Sequence, residues 1–456
     1  MTTPEQSTPA NEPARVLGTF DAACVVVGAI IGVGIFFTPK QVVQATQSGE
    51  LALIAWALAG GIALCGALTF AALGRRYHAS GAQYEVLRDA YGPLPGFVFV
   101  FCNATAIQPG AIAIIGLVCA ENLAVGVAGR DPTPGGQLAL AAALIVGLMG
   151  ANIVGVRWGS RIQNLTVLCK LLTLLAVTFA AAFVAPAHAA SEIAHASRGV
   201  PGAAAAVLTA LVATFFSYGG WQHALWISGE VRDPRRTLPR AIVGGVVLVV
   251  IVYLLANWAY LRLLGAEGVA SSGALAADAA SVVAPGAGAR IIAGAVAVSA
   301  FGVLNAQFLS GPRLLYGMAR DGRFFSEFGR LSARFGTPAA AVGLLGVFAL
   351  WLLVAAGNDF DAVDRLLTGV VAVDSVFFGL TGAAIFVLAR RLGPDGGTLR
   401  ALGYPVVPAI FVVGELGVVA GSFMKESTRS AALLGALWIV LAVVLYGARF
   451  RSRRAA

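Results

Sequence analysis

Long apolar stretches recur along the chain and predict membrane-spanning helices. A helix that crosses the hydrocarbon core needs roughly 20 mostly apolar residues, and twelve stretches meet this length. Helices are favoured over barrel strands because each backbone polar group must be satisfied within lipid and these runs are rich in Leu and Ala. The predicted spans are residues 19–39, 50–74, 95–121, 136–155, 162–185, 202–226, 239–264, 290–317, 338–356, 366–389, 406–423 and 430–448. We therefore expect an all-α membrane protein with twelve transmembrane helices.

Two of these spans contain glycines that predict a broken helix. Span one reads GAIIGVGIFFTPK from Gly28 to Lys40, although Gly28 and Gly32 also have the spacing of close helix packing. Span six contains Gly219 and Gly220 side by side, and each glycine costs about 1 kcal/mol relative to Ala inside a helix. Interrupted helices at corresponding places in two halves point to a transporter's binding site. Spans one and six are five apart, as an inverted five-helix repeat would place them.

The backbone groups freed by the two breaks predict the chemistry of a ligand. N–H groups at the amino-terminal end of a half-helix suit an anionic carboxylate. In span one these are the N–H groups of Gly32, Val33 and Gly34. In span six the freed carbonyl groups, which would accept from an ammonium group, are those around Phe216, Ser217 and Gly219. A ligand with a carboxylate and an ammonium on neighbouring atoms is an α-amino acid.

Composition and charge exclude other classes of protein. Hydrophobic residues make up 58% of the chain and charged residues 12%, against about 25% charged in soluble domains, so a soluble enzyme is excluded. If the amino terminus is cytoplasmic, 22 of the 31 Lys and Arg residues fall on the cytoplasmic side. The positive-inside rule therefore predicts that both termini are cytoplasmic. Basic residues spread over alternate loops also argue against nucleic-acid binding.

The residues that commonly carry catalysis or bind metals are scattered. The five cysteines lie inside apolar stretches, and the four histidines form no pair at metal-ligand spacing. No nucleophile and base or paired aspartates occur within the spans, so we expect no catalytic residues, no metal and no cofactor. The polar start of the chain lacks a basic n-region, which argues against a removable signal peptide.

Motifs along the chain resemble those of the amino acid–polyamine–organocation transporters, and especially the bacterial relatives of the L-type amino acid transporters. The resemblance begins after residue 15 and covers essentially the whole remaining chain. The motifs are GVGIF (32–36), SGAQY (80–84), AYGPLPGF (90–97), NIVGVRWGSRIQNLTVLCK (152–170), FSYGGW (216–221), GEVRDPRRTLPRAI (229–242), LNAQFLSGPRLLYGMARDG (304–322) and YPVVPAIF (404–411). The resemblance implies the leucine-transporter fold, with a 5+5 inverted repeat in which helices 1 and 6 are broken.

The resemblance also implies roles for single residues in the two breaks. It assigns substrate-carboxylate binding to the backbone of Val33 and Gly34, with Ile31 and Gly32 beside them. Val33 stands where the family usually has Ser, which removes a hydroxyl but leaves the N–H. In span six the implied set is Phe216 as an aromatic gate, Ser217 and Gly219 as ammonium acceptors, and Tyr218 and Gly220 within the same segment.

Three charged residues inside spans need separate explanations. By resemblance, Lys170 lies beside the broken first helix, where sodium-coupled relatives hold a cation, so its charge replaces sodium or its proton is the coupled ion. Asp374 in span ten stands where the family commonly has an uncharged residue near the substrate side chain. It is protonated, is paired with another span or selects a cationic or polar side chain, and a purely structural role is equally open. Glu415 in span eleven is expected to be peripheral.

We expect four regions along the chain. Residues 1–16 and 449–456 are cytoplasmic tails, residues 17–390 form the transporter core with repeats at about 17–185 and 202–390, and residues 391–448 add two helices. The charges of GEVRDPRRTLPRAI after span six are expected to form ion pairs on the inner side. Relatives in mammals have a partner-linking cysteine in the loop between spans three and four. Because the corresponding loop here, residues 121–137, contains no cysteine, no disulfide-linked partner subunit is expected.

The predicted function is secondary active transport of L-amino acids across the cell membrane by alternating access. Exchange and proton-coupled symport both remain open. A cationic amino acid or polyamine antiporter of the same fold is the alternative that Asp374 favours. An amino acid sensor is the alternative from another class, and the short tails argue against it.

Overall fold

The computed structural model describes residues 13–183, 200–356, 360–393, 399, 402–424 and 426–450, and these residues are almost entirely helical. The first half contains α1 (Thr19–Ile30), α2 (Gly34–Thr46), α3 (Gly49–Gly74), α4 (Ala82–Tyr91), α5 (Pro93–Cys102), α6 (Gln108–Ala128), α7 (Pro134–Val154) and α8 (Val156–Phe183). The second half contains α9 (Val200–Tyr218), α10 (His223–Trp226), α11 (Pro234–Ser271), α12 (Leu275–Val283), α13 (Gly288–Ser310), α14 (Pro312–Arg320), α15 (Ala339–Ala356), α16 (Phe360–Arg391), α17 (Val406–Met424) and α18 (Glu426–Leu445). Short π-helical and 3-10 turns occur between them, including the π-turn Asn103–Ile107 that joins α5 to α6.

Nine helices in the described part of the chain are long and apolar enough to cross a membrane. The pair α1 and α2 gives a tenth span if the two helices, which are bent by 46°, cross together. Predicted spans six and nine are the shorter apolar helices Gly202–Phe215 and Ala339–Ala355. The protein is therefore a polytopic helical membrane protein, as predicted.

The distribution of side chains on α8 is that of a helix between lipid and protein. Leu165, Leu172 and Phe179 are 59% to 65% exposed, whereas Gln163, Thr166 and Lys170 on the same helix are buried. Apolar side chains exposed in this pattern suit contact with lipid, and the buried polar face must find partners inside the bundle.

Both broken helices lie at the centre of the bundle. The helix α1 packs against α8, α11 and α13, while α2 packs against α9 and α11. The chain segments at their ends are also joined, because Leu17 N–H donates to Glu230 O at 2.9 Å and Arg232 N–H donates to Leu17 O at 2.8 Å. This parallel bridge connects the entry to the first broken helix with the segment that follows the second.

Candidate functional site

The first break covers Ile31, Gly32 and Val33, between the end of α1 and the start of α2. The helix α2 begins at Gly34 without a side-chain cap, and the first N–H groups of a helix have no acceptor within it. The partial positive charge of the helix dipole is located at the same end. Two N–H groups here have backbone acceptors, because Phe36 N–H donates to Val33 O at 3.0 Å and Gly32 N–H, which was predicted to be free, donates to Ile30 O at 2.8 Å. The donors that the start of α2 can offer to a ligand are therefore those of Gly34 and its neighbours Val33 and Ile35.

Lys170 binds the carbonyl groups on the other side of this break. Its side chain is 1% exposed, and Nζ donates to Ile31 O at 2.6 Å and to Gly28 O at 3.2 Å. The same Nζ reaches Ser299 O on α13 at 3.3 Å, and Ser299 Oγ donates to Ile31 O at 3.2 Å. Gly302 leaves the space for this arrangement, since a Cβ there would lie 3.2 Å from Nζ. The ammonium group of Lys170 thus binds the carbonyl oxygens of Gly28 and Ile31 at the first break.

The second break lies between the end of α9 at Tyr218 and the start of α10 at His223. Gly220 adopts a φ of 137°, a backbone conformation that favours glycine. A Cβ at Gly220 would lie 2.7 Å from Ala29 C and Ile30 N, so the two breaks are in direct backbone contact there. Gly219 differs, because its nearest neighbour would be Phe378 Cε2 at 4.0 Å. Gly220 is therefore required by packing, whereas Gly219 borders open space.

One tyrosine joins the two breaks through its hydroxyl group. The Tyr253 hydroxyl on α11 lies 3.0 Å from Ile30 O and 3.0 Å from Ser217 O, so its single proton serves the carbonyl groups at the ends of both half-helices. Tyr253 is fully buried against Trp56 and Tyr218. The relative position of the two breaks is thus set by a side chain from a third helix.

A cavity of about 240 Å³ lies where the two breaks meet. It is slightly smaller than the usual pockets for small molecules, about 300–1,000 Å³, so its ligand must be small. Of the residues predicted to bind substrate, those in its wall are Gly32, Val33, Gly34, Ser217, Gly219, Gly220 and Asp374. Ile31 directs its carbonyl to Lys170 instead. The Tyr218 side chain is buried away from the cavity and its hydroxyl donates to Trp56 O at 3.1 Å. The predicted gate, Phe216, lies in α9, but its side chain is outside the part that the structure describes.

The cavity wall also contains buried polar groups that the sequence analysis did not single out. Trp221 Nε1 and the Oε1 atoms of Gln108, Gln222 and Gln307 are buried, and none has a hydrogen-bond partner among the described residues. The four side chains are 1% to 8% exposed. A buried polar group without a partner costs about 1–3 kcal/mol, so these atoms are suited to a ligand or to water. Their occurrence as polar residues within apolar spans was the available sequence signal.

Two carboxyl groups lie in the wall formed by α16 and α17. Asp374 and Ser375 come from α16, and Glu415 comes from α17. The Glu415 carboxyl interacts with the Ser375 hydroxyl and electrostatically with Asp374. The expectation that Glu415 is peripheral is therefore wrong. The fold packs α17 against α16, and the two helices are close at this level, since a Cβ at Gly379 would be in ordinary contact with Glu415 Cβ at 3.6 Å.

An aromatic cluster closes the cavity on one side. Phe70, Trp221, Phe378 and Phe411, here called the aromatic floor, have ring centroids 5.8 to 6.3 Å apart. Trp221 and Phe378 line the cavity. The helices α4 and α14, which carry Arg88 and Arg313, contact each other. Together with the arginines of the neighbouring loops they are here called the arginine-rich end.

Ion pairs join the elements at the arginine-rich end. Glu230, in the charged segment after span six, forms a buried ion pair with Arg313, with an Nη2 to Oε1 distance of 3.0 Å. Arg88 Nη1 lies 2.9 Å from Asp321 Oδ1, and the Tyr84 hydroxyl donates to Asp321 at 2.7 Å. Burial and the hydrogen bond to Asp321 raise the pKa of Tyr84, so it remains a donor. This end is therefore closed by packing and by charge.

The described residues contain no cluster of His, Cys, Asp and Glu side chains that could hold a metal ion. The site instead consists of helix ends, glutamines, two carboxyl groups and aromatic rings around a small cavity. Such an arrangement can bind the two charged groups of a small zwitterion, and it lacks a nucleophile activated by a base.

Comparison with known proteins gives the family. The amino acid permease family model matches residues 17–448. The serine/threonine exchanger SteT of Bacillus subtilis is 27% identical over 96% of this chain and 98% of its own length. The b(0,+)-type amino acid transporter 1 of Oryctolagus cuniculus is 30% identical, over 84% of this chain and 79% of its own. The human large neutral amino acids transporter small subunit 2 is also 30% identical, over 84% of this chain and 71% of its own. The chain belongs to the amino acid permease family, and it is a membrane transporter and not an enzyme.

Proposed function

We propose that this permease carries L-amino acids across the membrane by alternating access, with one substrate molecule bound between the two broken helices. The observation that supports the proposal most is the single cavity bounded by both breaks. The uncapped start of α2 offers N–H groups to the α-carboxylate. The end of α9 offers carbonyl groups to the α-ammonium. The substrate side chain then extends into the rest of the cavity.

The proposed architecture has twelve spans. The bent pair and the long helices supply ten of them, and the shorter helices Gly202–Phe215 and Ala339–Ala355 are the other two. The core, residues 17–390, consists of inverted repeats at about 17–185 and 202–390, and residues 391–448 add two helices. This division is supported by the positions of the breaks, which fall in the first span of each repeat.

The proposed orientation places the arginine-rich end in the cytoplasm of a cell whose plasma membrane holds the protein. Both termini, residues 1–16 and 449–456, lie on that side. The support is the excess of Arg over the loops at this end, which the positive-inside rule assigns to the cytoplasm. The substrate then enters the cavity from the opposite, outer side while the aromatic floor is closed.

Lys170 is proposed to act as a tethered cation that stabilises the first break. Its Nζ binds carbonyl oxygens of α1, the break and α13, a set that would otherwise suit a bound monovalent cation. Fixing these carbonyls leaves the N–H groups of the start of α2 directed at the cavity. Phe216 at the second break is the proposed aromatic gate, with its role carried over from the family.

Exchange is the proposed mode of transport. A relative that aligns over 96% of this chain is named an exchanger. To open toward the cytoplasm, the rings of the aromatic floor must separate and the Glu230–Arg313 pair must move, which costs free energy. Binding of a substrate would compensate for this free-energy cost in both directions of transport. The conformational change of the transporter without a bound substrate would then be slow, which is the condition for obligatory exchange.

We expect the chain to work without a disulfide-linked partner subunit. Its five cysteines are free thiols within or beside the helices, and the loop between α6 and α7 has none. One relative is named a small subunit, so the point needs a test. Migration as a single species on a non-reducing gel of native membranes is expected, and a larger species that collapses on reduction would contradict it.

The experiment that tests the function is uptake of labelled L-amino acids into liposomes containing the purified protein. Vesicles are loaded with unlabelled amino acid, or left empty under an inward proton gradient, with protein-free vesicles as the control. Uptake that depends on internal amino acid is expected. Uptake driven by the gradient alone would replace exchange with symport, and uptake of no amino acid in either condition would overturn the function itself.

A further inference from the structure

One part of the cavity wall has no role in holding the backbone of an amino acid. Asp374 and Ser375 of α16 and Glu415 of α17 line the cavity, and the Glu415 carboxyl interacts with the Ser375 hydroxyl and electrostatically with Asp374. A substrate held by its carboxylate and ammonium at the breaks directs its side chain into the remaining space. These residues are therefore placed to contact a substrate side chain.

The charged side chains described in the cavity wall are acidic. Among the described residues that line it, the charged ones are Asp374 and Glu415, and neither Lys nor Arg is present. The nearby Lys170 directs its ammonium to carbonyl groups of the first break. Two carboxyl groups that interact electrostatically in a low-dielectric interior repel each other when both are ionised. A cationic group between them removes this repulsion, whereas an acidic substrate side chain adds to it.

The unpaired polar atoms of the wall give an independent indication of what the ligand carries. Asp374 Oδ1 is buried and has no hydrogen-bond partner among the described residues. The same holds for Oε1 of Gln222 and Gln307, whose side chains are 3% and 8% exposed. All three atoms are acceptors. The wall also contains one unused donor, Trp221 Nε1, but most of its unused groups are acceptors. They suit a ligand with several donors, and an aliphatic side chain offers none.

Basic side chains match this requirement better than other amino acid side chains do. An ammonium group has three donors and a guanidinium group five, while a hydroxyl group has one. Hydrogen bonds in which one partner is charged are also about twice as strong as neutral ones. Polyamines carry the donors but lack the α-carboxylate, so they would leave the N–H groups of the start of α2 unpaired.

We infer that Asp374 and Glu415 form a subsite for the cationic group of a substrate side chain, so that the substrates of this permease include basic L-α-amino acids. The inference rests on the proposed function, because it uses the position of the substrate backbone at the two breaks. It adds a specificity determinant, the carboxyl pair, to a site whose other residues recognise the backbone that all amino acids share.

The test compares ligands of similar shape and different charge on the purified full-length protein in liposomes. L-arginine is compared with L-citrulline, and L-lysine with L-norleucine, as competitors of labelled L-arginine uptake into vesicles loaded with amino acid. Cadaverine, which has the lysine side chain without the carboxylate, is the third comparison. We expect each basic amino acid to compete better than its neutral counterpart by about tenfold or more, and cadaverine to compete weakly.

The isosteric variants Asp374→Asn and Glu415→Gln assign the preference to the two carboxyl groups. Each is expected to move the arginine-to-citrulline ratio toward one. The control is Glu267→Gln, which removes an exposed carboxyl group outside the cavity and should leave the ratio unchanged. Thermal unfolding and monodispersity of each variant show that it is folded, and the wild-type comparison of ligands requires no variant at all.

Failure of the Asp374–Glu415 subsite and failure of the proposed amino acid exchange give different results. If neutral amino acids are exchanged while arginine competes no better than citrulline, the subsite is overturned and the permease function stands. If the variants alter the pH dependence of uptake but not the ratio, the pair holds a proton and the inference is wrong. If cadaverine competes as well as lysine, the substrate class is a diamine. If no amino acid is exchanged at all, the proposed function fails first.

Discussion

The two broken helices differ in how far the protein satisfies their polar groups. At the first break the carbonyl groups of Gly28 and Ile31 are bound by Lys170. At the second break Trp221 Nε1 and Gln222 Oε1 are buried without partners among the described residues. The carbonyl groups of the first break are thus bound by the protein itself, whereas buried side-chain groups of the second break are left for whatever enters the cavity. A ligand that binds these groups can favour one conformation of the second break over another.

Substitution of Lys170 gives the strongest test of the difference between the two breaks. Replacing Lys170 with Ala removes a charged donor from three carbonyl oxygens, of which Ile31 O keeps the Ser299 hydroxyl as a donor, so the first break loses most of its support. We expect exchange to fall by about a hundredfold. The control is Lys40→Ala, which removes another lysine whose Nζ donates to a carbonyl, Ser272 O at 2.6 Å, but outside the cavity wall. Exchange rates equal to wild type in Lys170→Ala would show that the break does not depend on the tethered cation.

Gly219 and Gly220 provide a matched pair at the second break. The Gly220→Ala variant forces a Cβ against the backbone of the first break at a φ of 137°. It should lower the free energy of unfolding by about 1–3 kcal/mol and abolish most exchange. In Gly219→Ala the methyl group would lie 4.0 Å from Phe378, and stability should stay near wild type. Equal melting temperatures of the two variants would contradict the close contact between the breaks.

Two buried glutamines are expected to respond in opposite ways. Gln163 Nε2 donates to Cys24 O of α1, and its Oε1 accepts from Asn305 Nδ2 at 2.8 Å. Gln163→Leu should therefore destabilise the fold by about 1–3 kcal/mol, because it leaves partners unpaired. Gln222→Leu removes an acceptor without a partner among the described residues, so stability should be unchanged or higher while substrate affinity falls. Thermal unfolding with and without substrate measures both effects, and loss of stability in both variants would show that the second break is also satisfied by the protein.

The smallest effect is expected from Tyr253→Phe. The change removes the hydroxyl that lies 3.0 Å from the carbonyl groups at the ends of both half-helices. A loss of about 1 kcal/mol in stability and a several-fold lower exchange rate are expected. Tyr260→Phe, two turns further along α11, is the control and should behave as wild type. If Tyr260→Phe loses more stability than Tyr253→Phe, the Tyr253 hydroxyl does not link the two breaks.

The sequence allowed the helical membrane class, the places of the breaks and the burial of Lys170 to be predicted, because each depends on local signals. Apolar run length, adjacent glycines and a lone basic residue within a span are visible without knowledge of neighbours. The site partners were not predictable in the same way. Tyr253 and Gln307 come from spans that lie far along the chain, and nothing local distinguishes them from other buried polar residues.

Glu415 and Tyr218 show why single spans mislead. Glu415 was expected to be peripheral because it follows the ten spans of the core, but the packing of α17 on α16 brings it to the cavity wall. Tyr218 lies in the broken segment, yet its helical direction turns it toward Trp56. Sequence proximity to a site gives the position of a backbone, and the direction of the side chain is set by the helix and its neighbours.

Recognition of an amino acid depends on the first break binding the α-carboxylate and the second binding the α-ammonium. It is tested most directly by equilibrium binding of one exchanged amino acid, its carboxamide and its N-acetyl derivative to the purified protein. We expect each derivative to bind at least about tenfold more weakly than the parent, because each loses one charged partner of a helix end. A derivative that binds as tightly as the parent would contradict the assignment of that group to its break.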